Sequence, residues 1–109
     1  MTYYDFNGAK ISQQEWSDLY VDIKKRTIDY TKVGRYRIST VWLGLNYNYM
    51  PEGKPLIFET MVFDLKNNDN DIGCYRYSTK EEALWGHQLA VRWSKRRRFF
   101  FWQKGYWSL

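Results

Sequence analysis

Two long apolar runs organise the chain, RYRISTVWLGL over residues 35–45 and PLIFETMVFDL over residues 55–65, on either side of a polar loop. Both are rich in β-branched and aromatic residues and bounded by turn formers, which predicts the two central strands of an antiparallel sheet. Alternation puts Val41, Leu43 and Leu45 on one face of the first, with Tyr36, Ile38, Thr40 and Trp42 on the other. In the second, Ile57, Glu59, Met61 and Phe63 share a face opposed to Leu56, Phe58, Thr60 and Val62. Both strands are apolar on both sides. The pattern therefore calls for cover twice over, by a helix on one face and by another subunit or a ligand on the other.

Around this pair the remaining elements follow from local signals. Asn7-Gly8 at the centre of residues 3–11 predicts a small hairpin with a type I′ turn. Ser12 to Glu15 spells a capping box, and Trp16, Leu19, Tyr20 and Ile23 form one apolar stripe of an amphipathic helix ending near residues 24–26. Residues 27–33 fit a short edge strand and residues 73–78 the last strand. A second capping box, Ser78 with Glu81 or Thr79 with Glu82, opens a helix over about residues 80–94, with Ala83, Leu84, His87, Ala90 and Val91 inward. The expected fold is α+β: a single domain, an antiparallel sheet of about four strands, two helices packed mostly on one face. Residues 1–94 would form the core and residues 95–109 a basic aromatic tail.

Length and charge sharpen this picture. A chain of 109 residues builds one domain. Aromatic residues make up 20% of it, more than a core of this size normally uses, so recognition surfaces and an unusually bulky core are both open readings. The net charge of +5 is not spread evenly. Residues 83–109 hold six basic and no acidic side chains, whereas residues 1–82 hold 11 basic against 12 acidic. Polyanion binding is thus a property to seek near the C-terminus. The single Cys74 rules out an intramolecular disulfide and fits a reducing, cytoplasmic setting. Nothing at the N-terminus resembles a signal peptide, and no apolar run approaches the roughly 18 residues that span a bilayer.

Candidate chemistry is sparse. One His and one Cys do not make a zinc site, and the NNDND run at residues 67–71 lacks the spacing of a calcium loop. No metal or cofactor is expected, and no phosphate loop or nucleophile elbow is present. Glu59 interrupts an apolar strand face and His87 the inner face of a helix. If they meet, they form either an acid–base dyad for a small hydrolase or nuclease, or a buried hydrogen bond joining helix to sheet. The other candidate is the tail. Arg96, Arg97 and Arg98 run into Phe99 to Trp102, which combines phosphate-binding charge with rings able to stack on bases. Six phosphate contacts would lower affinity roughly a thousandfold between 50 and 200 mM salt. A basic aromatic run equally suits an acidic protein partner or an anionic membrane surface. Trp42 and the loop residues Tyr47 and Tyr49 form a second expected contact surface.

Three blocks, STVWLGL at residues 39–45, PLIFETMVF at residues 55–63 and YSTKEEALWGH at residues 77–87, together resemble a family of small uncharacterised proteins of bacteriophages and prophages. The resemblance covers most of residues 1–90 and brings no activity with it. It implies an Asp-His pair after Leu-Gly-Leu, where this chain has Asn46-Tyr47, and it does not account for the KRRRFFFW tail. A phage setting implies a binding protein that inhibits or sequesters a host component, with a host protein, a nucleic acid or a nucleotide as partner and a homo-oligomer as an option.

Overall fold

A computed structural model describes residues 1–46 and 53–96. The chain opens with a hairpin of β1 (Tyr3–Tyr4) and β2 (Lys10–Ile11). Its turn is not type I′, because only Gly8 of the Asn-Gly pair has positive φ. Asp5 Oδ1 organises the loop instead, accepting from the backbone N–H of Asn7 and of Ala9. The first capping box forms as expected: Ser12 Oγ accepts from Glu15 N, and Glu15 Oε1 accepts from Ser12 N.

The helix that follows is broken in two. α1 (Gln13–Tyr20) stops at Val21, and Asp22 starts a new turn, α2 (Ile23–Arg26), by accepting from Lys25 N. A local acceptor at Asp22 thus wins over the longer apolar periodicity. Ile23, expected on the buried stripe, is 65% exposed as a result.

Four strands then form one antiparallel sheet in sequence order: β3 (Thr27–Val33), β4 (Tyr36–Trp42), β5 (Phe58–Asp64) and β6 (Asn70–Tyr77). Thr40 pairs with Thr60, and Thr60 with Tyr75, so hydroxyl-bearing residues fall in line across the middle of the sheet. α3 (Lys80–Arg96) crosses one face and touches all four strands. Of the two possible capping boxes Thr79–Glu82 forms, and the helix continues through Lys95 and Arg96. The core between helix and sheet is built from Ile38, Trp42, Phe58, Val62, Tyr75 and Tyr77 against Ala83, Ala90 and Val91. Leu84, expected inward, is 39% exposed. Gly86 is required where it sits, since a Cβ there would collide with the Tyr77 ring.

The hairpin and α1 pack on the same core at its Trp42 end, with Phe6, Trp16, Leu19 and Tyr20 against it. Trp16 Nε1 donates to Leu43 O, and Phe6 stacks on Trp42 with ring centroids 4.4 Å apart. Gly44, at φ +70°, lets the chain pass between Trp42 and Trp16, where any side chain would strike both rings. The opposite sheet face carries long side chains laid flat. Arg37 covers the Phe63 ring at 4.0 Å while bonding Asp69, and Arg76 bonds Glu59 at 3.0 Å. No helix among the described residues is long and apolar enough to cross a membrane.

Candidate functional site

Beneath α3 a line of polar groups runs across the sheet. His87 is completely buried, with Nδ1 2.7 Å from Thr40 Oγ1 and Nε2 2.9 Å from Thr31 Oγ1. Thr40 Oγ1 lies 2.6 Å from Thr60 Oγ1, and Asp29 Oδ2 lies 3.6 Å from Nε2 at the solvent edge. Strand alternation explains the line: Asp29, Thr31, Thr40 and Thr60 all fall on the face toward α3. The carboxylate can only accept, which favours the ring proton on Nε2. Nδ1 then accepts from the Thr40 hydroxyl, and Thr40 Oγ1 accepts from Thr60. Burial pushes the imidazole toward its neutral form and its pKa below the ordinary value, with the Asp29 charge opposing. Tyr77 closes the β6 side; burial pushes its phenol up to about 12.

Glu59 takes no part in this line. It neighbours Thr60 along β5 and therefore points to the other face, where it accepts from Arg76 Nε at 3.0 Å and from Cys74 Sγ at 3.4 Å. The expected Glu59–His87 dyad does not form, because one residue of register puts the two groups on opposite sides of the sheet. The face of β5 under the helix is the one with Phe58, Thr60 and Val62, not the one with Glu59. His87 does join helix to sheet by a buried hydrogen bond, but to the threonines. The four cavities of 220 to 430 Å³ described here are lined by none of His87, Thr40, Thr60 or Glu59. No group of three or more His, Cys, Asp or Glu among these residues is placed to hold a metal ion.

Trp42 is also displaced from its expected role. It is fully buried between Phe6 and the sheet, so it belongs to the core rather than to a contact surface. Tyr47, Tyr49, Arg97, Arg98 and Trp102 lie outside the described residues. Arg96 is described, exposed at the end of α3.

The outward side of α3 joins Arg96 to exposed groups that the sequence did not single out. Ala83, His87, Ala90 and Ser94 are buried, which leaves Trp85, Gln88, Arg92 and Arg96 on the opposite side of the helix. Trp85 is 46% exposed, and with Gln88, Leu89 and Arg92 it lines a cavity of 310 Å³. α3 ends on Lys95 and Arg96, the first two residues of the basic run in the sequence. Periodicity held the signal: Trp85, Arg92 and Arg96 recur at seven and eleven residues, close to two and three turns. Comparison of the chain with protein families, with curated proteins and with solved structures finds no match in any of the three.

Proposed function

We propose that the protein is a non-enzymatic binding protein, of the phage type its sequence resembles, that inhibits or sequesters a host component or an anionic nucleic acid or nucleotide ligand through a cationic surface. The contact face is the outward side of α3 together with the basic aromatic segment that follows it. One observation carries this reading: the half-exposed Trp85 shares a helix face with Arg92 and Arg96, at the start of a segment in which every charged residue is basic. A ring that stacks beside cations that neutralise phosphates is the combination single-stranded nucleic acid requires. An enzymatic reading finds less support, because the histidine is enclosed and its nitrogens are occupied by threonines.

The test is binding of the full chain to single-stranded DNA and RNA at 50 and 200 mM salt. A second protein has Arg92, Arg96, Arg97 and Arg98 all replaced by Gln. Salt-sensitive binding lost in the substituted protein supports a polyanion. Capture of an acidic host protein by the unsubstituted chain alone keeps the contact face and changes the partner class. Equal binding by both proteins overturns the reading.

A further inference from the structure

A second cationic site lies at the other end of the molecule, between the hairpin turn, α2 and the start of α3. Phe6, Asn7, Lys25, Thr27, Ile28 and Lys80 line a cavity of 320 Å³ there. A separate neighbouring cavity of 220 Å³ shares Phe6, Asn7 and Lys80 with it. Lys25 and Lys80 enter it from separate elements, and among the described residues neither makes an ion pair. No carboxylate lines the larger cavity. Glu81 borders only the smaller one, and Glu82 is consumed by the cap, accepting from Thr79 N and Thr79 Oγ1. That cap takes up Glu82 N, and the attraction for an anion is ascribed to the two ammonium groups.

The contrast with the cavity at the opposite end of β3 is informative. That cavity, lined by Lys32, Arg35 and Lys66, is more cationic in composition, but it has its own counter-ion. Asp64 holds Arg35 through two hydrogen bonds, at 2.8 and 2.6 Å, and accepts from Lys66 N. The Lys25–Lys80 cleft has no such internal anion. Its remaining lining mixes polar Asn7 and Thr27 with Phe6 and Ile28, and the last two offer an apolar surface for the organic part of a ligand.

We propose that this cleft binds a small phosphomonoester, with the phosphate between Lys25 and Lys80 and an apolar or aromatic moiety against Phe6 and Ile28. The site is independent of the outward face of α3.

The test titrates the full chain with AMP, inorganic phosphate and adenosine, by calorimetry and by the NMR shifts of the Ile28 methyls. AMP is expected to bind more tightly than phosphate, to move the Ile28 signals, and to lose at least fivefold in affinity in both Lys25→Gln and Lys80→Gln. Lys32→Gln, which alters the other cationic cavity, is expected to leave affinity within twofold. Absence of AMP binding at millimolar concentration overturns the proposal. So does an equal loss in Lys32→Gln, which would assign the anion to general surface charge or to the other cavity. Both lysines are exposed, so loss of folding does not confuse the result.

Discussion

The two sides of α3 use polar chemistry in opposite ways. Underneath, His87, Thr31, Thr40 and Thr60 satisfy one another at 2.6 to 2.9 Å, and the line reaches solvent at its β3 end, through Asp29 and the half-buried Thr31. On top, Trp85, Gln88 and Arg92 surround a hollow open to solvent. A buried polar group left unpaired costs about 1–3 kcal/mol, so the inner set must be closed on itself, and a closed set has little capacity left for a substrate. The outer set is under no such demand. The histidine is thus best understood as a lock between helix and sheet, and recognition is sought where side chains remain unused.

Two tryptophans make the sharpest break between the sides. Trp42→Ala opens a cavity beneath Phe6 and is expected to cost about 4 kcal/mol in urea denaturation, enough to unfold a marginal domain. Trp85→Ala should change stability by less than about 0.5 kcal/mol while weakening the binding ascribed to the outward face. Equal stability losses would erase the distinction. His87→Ala comes next: it removes the shared partner of Thr31 and Thr40 and leaves a void, for an expected loss of about 3 kcal/mol in the same assay.

Acidification probes the inner side without changing its shape. Above pH 6.5, the ordinary histidine value, neither the folded nor the unfolded state carries the proton and stability is at its full value. As pH falls below 6.5 the unfolded histidine takes up a proton that the buried one resists, and stability declines until the lower folded pKa is reached. The slope from one such group is at most about 1.4 kcal/mol per pH unit. His87→Gln should therefore shrink the difference in unfolding free energy between pH 7.5 and 5.5 by about 1 kcal/mol, against a background of carboxylates common to both proteins. An unchanged difference would mean that His87 is not held neutral by the fold.

The sheet was legible because its signal is local and repeated. Period-2 alternation named Ile38, Thr40 and Trp42 as one face of β4, and they are all buried together. Two capping boxes marked true helix starts at Ser12 and Thr79. What alternation could not tell was which face of β5 lay under the helix, since Phe58, Thr60 and Val62 are about as apolar as Ile57, Met61 and Phe63. That single ambiguity produced the false Glu59–His87 pair. The break at Asp22 was hidden by an apolar stripe that continued through Ile23. The Lys25–Lys80 cleft, whose lysines are 55 positions apart, depends on the tertiary packing of the hairpin and had no sequence pattern at all.

The smallest expected effect on stability is the one that bears most on function. Arg92 is exposed, at the edge of the hollow beside Trp85, and replacing it with Gln removes a charge without opening the core, so unfolding should shift by less than about 0.5 kcal/mol. If the outward face meets a nucleic acid phosphate through Arg92, each lost contact should lower the slope of log affinity against log salt by about 0.7 for a single strand. Affinity alone would not discriminate, because any loss of net charge weakens long-range attraction to a polyanion. The slope does, since it counts counterions released at contacts. Lys10→Gln, the same loss of charge on the hairpin, should leave the slope nearly unchanged. A common shift for both substitutions would reduce the outward face of α3 to one part of a generally basic surface.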